Sequence, residues 1–195
     1  MMRTRLLLPV GLLVLGLRLL LPLSEATADD GCNMKTSITP LDTGIEGEAT
    51  LCVKADEVSG RMKTEHLQPG DAYTIWFVYF DDSSQCGDGS GVCGAGANDF
   101  GGDNPLGLFG RFDSAVGPAD GKVDFSGSVR GLHLSSGSQV WLLMFGHGPA
   151  DANDGGHLAR QLLTPEDPNA GAPHLGNIVD GVRGIPAAVA VFDIP

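Results

Sequence analysis

The residues best equipped for chemistry in this chain are five histidines, four cysteines and aspartates set in glycine-rich stretches. His147 stands first. Gly146-His147-Gly148-Pro149 follows an apolar run, which predicts an imidazole at a strand end where loops gather, and loops on a rigid scaffold often carry function. With Asp151 it forms a candidate polar site, and a pocket bringing two carboxylates to it would suit a secreted hydrolase or a metal-dependent enzyme. The plainer reading is a histidine that braces a tight Gly-Pro turn through a backbone hydrogen bond.

Calcium is the second chemistry the sequence offers. Asp81, Asp82 and Asp88 flank the Cys86–Cys93 stretch, with Asp99 and Asp103 just beyond, and hard oxygen ligands on irregular loops suit Ca2+. Against this, aspartates favour turns simply by bonding to their own backbone. Asp151 to Gly156 has a faint EF-hand look but carries Gly155 where the fifth ligand belongs and Leu162 at the closing position. His66, His133, His157 and His174 are scattered, without the His-x-His or His-x3-His pairs that a copper–zinc sandwich of the superoxide-dismutase kind requires. Ser90 lacks the Gly-x-Ser-x-Gly elbow of a nucleophilic serine. Carboxylate pairs for glycoside hydrolysis are a three-dimensional property that many acidic residues would satisfy by chance. Trp76, Trp141, Tyr73 and Tyr79 sit inside the most apolar runs, so core packing is the stronger reading than a sugar-stacking platform.

The N-terminus decides how the cysteines are read. A basic start (Met1 to Arg5), an apolar run (Leu6 to Leu23) and the small-x-small ending Ala26-Thr27-Ala28 predict a signal peptide over 1–28. A retained membrane anchor is the alternative; the run is short for a span, and Pro9, Gly11, Gly16 and Arg18 interrupt it. Export makes the protein secreted or periplasmic and predicts two disulfides. Cys86 and Cys93 enclose only six residues, which favours Cys86–Cys93 and, by elimination, Cys32–Cys52.

Removing 1–28 takes away Arg3, Arg5, Arg18 and Glu25 and leaves 9 basic and 23 acidic residues, a formal net charge of −14. Such a field disfavours nucleic acid and anionic membrane surfaces and favours cations and basic partners, or serves solubility alone. No segment beyond residue 28 has the length of a membrane-spanning run.

The elements that must position these residues read as strands. Ala49 to Ala55 alternates as a half-buried strand, Val58 to His66 follows as another, and Leu67 to Asp71 makes a turn with Pro69 and Gly70 in type II positions. Tyr73 to Phe80 and Gln139 to Phe145 are apolar on both faces, as central strands covered on both sides should be. Val123, Phe125 and Val129 point one way, and Asp124, Ser126, Ser128 and Arg130 the other. Leu106 to Phe112 and Val189 to Ile194 complete the strand set; His157 to Leu163 fits either a helical turn or a strand. With 29 glycines and no long helical periodicity, residues 29–195 predict a single all-β domain, an antiparallel β-sandwich of short strands with long Gly/Asp-rich loops, notably Thr164 to Gly184.

The order of short motifs also matters. Gly47-Glu48-Ala49-Thr50-Leu51, Leu67-x-Pro69-Gly70-x-Ala72-Tyr73-Thr74-x-Trp76, Cys86…Val92-Cys93-Gly94, Asp99-Phe100-Gly101 and His147-Gly148-Pro149-Ala150 resemble a group of small secreted bacterial proteins without an established activity. The resemblance covers about residues 45–165 and implies export, a β-rich domain and a local disulfide; it implies no catalytic residue. The sequence therefore predicts an exported, non-catalytic binding or surface-interaction module for an extracellular ligand, with a hydrolase or metal enzyme near His147 and a calcium-stabilised structural protein as the alternatives.

Overall fold

The computed structural model describes residues 32, 34–41, 43–89, 93, 106–163, 178–179 and 182–195; the expected leader, 1–28, lies outside them. In chain order the strands are β1 (Met34–Ser37), β2 (Thr39–Pro40), β3 (Glu46–Val53), β4 (Glu57–Glu65), β5 (Asp71–Phe80), β6 (Leu106–Val116), β7 (Val123–Arg130), β8 (Gln139–Pro149), β9 (Ile178–Val179), β10 (Val182–Arg183) and β11 (Ile185–Asp193). Two helices of one or two turns, α1 (Cys86–Gly89) and α2 (Gly155–Gln161), and a 3-10 turn at Ser83–Gln85 accompany them. The chain is all-β: a four-stranded sheet ordered β1-β3-β4-β7 and a five-stranded sheet ordered β2-β11-β8-β5-β6, antiparallel throughout, pack face to face, with a small β9–β10 hairpin beside them. Strand β8 returns beside β5 instead of β7, the connectivity of a Greek key.

Alternation builds the interior. Along β4, Val58, Met62 and Thr64 are buried while Arg61, Lys63 and Glu65 are exposed. These inward residues meet Ile75, Phe77, Leu142 and Met144 of the opposite sheet in one core. Two facing strand glycines make that contact close. Gly60 and Gly127 are register partners, and a Cβ on either would press on Phe112 of β6, 3.1 Å from its ring at Gly60 and 2.8 Å from its carbonyl oxygen at Gly127. Only a bare backbone admits the Phe112 ring there.

The seams between sheets are also specific. The chain passes from one sheet to the other between β1 and β2 at the buried Ile38, and on the far side Asp113 of β6 accepts the Ser126 backbone N–H of edge strand β7 at 2.8 Å. That bond occupies an edge donor that would otherwise invite another strand. The β4–β5 turn has the expected form: Asp71 N–H donates to Gln68 O, with Pro69 and then Gly70 (φ 84°) between them, a left-handed position that glycine fills at no steric cost.

Disulfides join Cys32 to Cys52 and Cys86 to Cys93. The sequence reading did not anticipate β1, β2 or the β9–β10 hairpin. Of residues 157–163, open between helix and strand, 157–161 enter α2 and 162–163 form the turn after it. Among the described residues no helix is long and apolar enough to cross a membrane.

Candidate functional site

His147 is a strand residue. The sequence predicted that β8 ends near Phe145; the strand instead continues to Pro149, with β11 pairing as far as Gly146 and β5 reaching Pro149 through Asp71. The ring is 9 % exposed and turned to the outer face of the five-stranded sheet, where its Nε2 lies 2.9 Å from Thr74 Oγ1. Thr74 in turn accepts the Trp76 indole N–H at 3.0 Å. An indole nitrogen only donates, so the run Trp76, Thr74, His147 has a fixed direction at its first step. Gly184 lies flat on the imidazole; a Cβ there would come within 3.1 Å of Cε1. The expected loop histidine is thus a buried strand residue whose side chain meets that of Thr74 on the neighbouring strand.

Asp151 has other partners. One oxygen accepts the backbone N–H of Asn153 and Asp154, the other lies 3.2 Å from His157 Nδ1, and these bonds, the Asp154 amide foremost, hold the carboxyl below its usual range. Asp154 then caps α2 by accepting the N–H groups of Gly156 and His157. The stretch that resembled a degenerate EF-hand is an aspartate turn followed by a helix cap. Gln161, buried at the other end of α2, donates to Pro149 O and accepts the Asp151 N–H, pinning the helix to the end of β8.

Of the calcium candidates, Asp81 accepts the Tyr79 hydroxyl at 2.8 Å. Asp82 caps the 3-10 turn through Ser84, whose hydroxyl and amide hydrogen bonds draw its carboxyl pKa down. The Asp88 side chain, Asp99 and Asp103 lie outside the described residues. Among the described residues no three His, Cys, Asp or Glu side chains gather as a metal site would need. Of the aromatic candidates, Tyr73, Trp76 and Tyr79 are each at most 5 % exposed, and Trp141 is half-buried with its indole N–H donated to Gln139.

An open feature lined by polar side chains lies elsewhere, on the outer face of the four-stranded sheet. A groove of ≈ 690 Å³ runs over β1, β3, β4 and β7, with small hydroxylic side chains (Thr50, Ser59, Ser126 and Ser128) on its floor and Lys35, Arg61, Lys63 and Glu48 around it. The Cys32–Cys52 disulfide forms one wall. Register explains the grouping: Lys35 pairs with Thr50, Thr50 with Arg61 and Arg61 with Ser126, one cross-strand row through four strands. The neighbouring row holds Glu48, Lys63 and Asp124. Arg61 binds Asp124 through two nitrogens, and those bonds hold the Asp124 carboxyl below its usual range. Lys63 lies 3.4 Å from Glu48, while Lys35 has no ion pair among the described residues.

Charge is unevenly divided. Lys35, Lys54, Arg61, Lys63, Lys122 and Arg130, six of the nine basic residues beyond position 28, lie on this sheet or its turns. They stand against seven acidic ones there (Glu46, Glu48, Asp56, Glu57, Glu65, Asp120 and Asp124), so the sheet carries −1 and the other −13 of the net −14 belongs to the rest of the chain. Sequence reasoning missed this groove. Its signal is the exposed phase of β3, β4 and β7, which reads as alternating hydroxyl and charge, but only the strand register brings it together.

No protein-family model, no curated protein and no solved structure matches this chain.

Proposed function

We propose that the protein is an exported, non-catalytic β-sandwich module that binds an extracellular ligand across the outer face of its four-stranded sheet. The observation that carries this reading is the groove on that face: open, polar, walled by a disulfide and set on hydrogen-bonded strands whose geometry is fixed before any ligand arrives. The two disulfides and the basic-then-apolar leader support export. The placement of the best catalytic candidates supports binding over turnover, since His147 is held by Thr74 and Asp151 by its own turn and His157.

Amide chemical-shift mapping of the exported protein against neutral, acidic and basic extracellular polymers tests the reading. Perturbations are expected at Thr50, Ser59, Arg61 and Ser126. Perturbations centred on Thr74 and His147, or cleavage of a polymer during the titration, would replace it with the hydrolase alternative.

A further inference from the structure

We infer that the groove takes an acidic polysaccharide, its carboxylate or sulfate groups held by Lys35, Arg61 and Lys63 and its hydroxyls by Thr50, Ser59 and Ser126. This assignment rests on the binding face proposed above.

Charge complementarity is the first argument. The chain as a whole is strongly acidic, yet the groove gathers three cations against Glu48, with Asp124 beside it. An anionic polymer repelled by the remainder of the surface meets a local excess of one positive charge here, and at physiological salt the distant acidic residues are screened beyond about 8 Å.

Spacing is the second. Lys35 and Arg61 stand two strands apart in one row, roughly 10 Å between backbones, and Lys63 is two residues along β4 from Arg61, roughly 7 Å. A ligand that met each cation near its own backbone position would be extended and carry more than one acid group, which describes a polymer better than a single small anion.

The floor supplies the third. Its side chains are hydroxyls, which donate and accept, and the groove lining includes no aromatic or long aliphatic side chain. A peptide ligand gains most of its affinity by burying apolar or aromatic anchors in desolvated pockets, and this floor offers none. A polyol loses little by staying wet, because water-bridged hydrogen bonds are nearly as good as direct ones. The resident partners set the expected strength: acid groups of the ligand must share Arg61 with Asp124 and Lys63 with Glu48, so Lys35 makes the least contested contact and binding is salt-sensitive.

The test titrates the exported protein with a heparin hexasaccharide, an oligogalacturonate, a dextran oligomer and poly-glutamate, followed by amide shifts. At low salt one or both acidic oligosaccharides should perturb Thr50, Ser59, Arg61 and Ser126, and heparin against galacturonate tells sulfate from carboxylate. The double variant Lys35→Glu/Lys63→Glu should weaken that binding by about tenfold or more, a loss of about 1.4 kcal/mol, with amide dispersion unchanged. Lys54→Glu, in the β3–β4 turn outside the groove, should not weaken it. Dextran or poly-glutamate binding the same amides as well as the acidic oligosaccharides would overturn the ligand class while leaving the face in place. Acidic oligosaccharides that bind elsewhere, or no polymer perturbing the face, would overturn both.

Discussion

On the four-stranded sheet the outward side chains of β3, β4 and β7 are, apart from Cys52, charged or hydroxylic, and most are exposed. On the five-stranded sheet most outward positions of β5, β8 and β11 hold Trp76, Val78, Phe80, Leu143, Phe145 and Val189, none more than 8 % exposed, with Trp141 and Val191 half-buried beside them and Cys86 and Cys93 packed among them. The two sheets share an inner core and an antiparallel ladder, so backbone architecture does not distinguish them. What differs is the second phase of each strand. In β7 it is Asp, Ser, Ser, Arg; in β5 it is Ala, Thr, Trp, Val, Phe. An antiparallel sheet tolerates either a wet or a covered outer face, and this chain uses one of each. The wet face is free to meet a ligand, and the covered face is a second core in which a polar group must find a partner inside.

The largest test of that difference removes a ring from the covered face. Phe80 is fully buried there and makes an edge contact with Trp141, ring centroids 5.1 Å apart. Phe80→Ala should cost about 3–5 kcal/mol in urea unfolding, as a residue of a true interior does. A loss below about 1 kcal/mol would mean that the face is merely sheltered and that the two sides differ less than their burial indicates.

The disulfides sharpen the comparison next, because each belongs to one face. Cys86 and Cys93 are 0 % and 7 % exposed, whereas Cys32 is exposed at the groove wall. Limited reduction followed by alkylation and mass analysis should label Cys32 and Cys52 first, with Cys86 and Cys93 labelled only on unfolding. Their thermodynamic order runs the other way on chain entropy alone: the 20-residue closure of Cys32–Cys52 is worth roughly 3 kcal/mol and the 7-residue closure of Cys86–Cys93 roughly 2 kcal/mol. Simultaneous labelling of all four would deny that the second pair lies in a core.

These contrasts also show what was legible beforehand. The doubly apolar runs of β5 and β8 and the alternation of β7 could be read directly, because burial on two faces or on one leaves a local pattern. Strands β1 and β2 could not. Met-Lys-Thr-Ser and Thr-Pro are too short and too polar to show a period, and they are placed by pairing with β3 and β11 and, at Cys32, by a covalent bond. His147 misled for a related reason: its glycine neighbours suggest a loop, while the ladder that extends β8 is contributed by strands distant in sequence. The groove is the extreme case. Lys35, Thr50, Arg61 and Ser126 come from four strands, and nothing near any one of them announces the other three.

A smaller effect is expected at the polar run inside the covered face. Thr74→Val keeps the shape of the side chain and removes the oxygen that accepts from Trp76 and meets His147. Replacing one member of a buried hydrogen-bonded set costs about 1–3 kcal/mol, so the midpoint of denaturation should fall without a change in its slope. Thr50→Val, the comparable change in the groove floor, should be close to neutral, since solvent serves the groups around it. Equal costs at the two positions would erase the wet–dry distinction on which the binding face depends.

The smallest predicted effect is on the wet face itself and depends on pH. Asp124 is held below the ordinary carboxylate range, first by the hydrogen bonds from Arg61 and then by the Arg61 and Lys63 charges. A carboxyl depressed in the folded state contributes its stabilisation above its unfolded value, about 3.9, and loses it as the pH falls through the lower folded value. Both partners are substantially exposed, 57 % and 40 % at the side chain, so solvent screens the pair and its contribution is small. A double-mutant cycle of Arg61→Ala and Asp124→Ala should therefore give a small favourable coupling near neutral pH that fades on acidification below about pH 4. A large coupling, or one indifferent to pH, would make this pair part of what holds the sheet together. Arg61 would then be committed to Asp124 instead of being available to a ligand, and Lys35 and Lys63 alone would have to carry recognition in the groove.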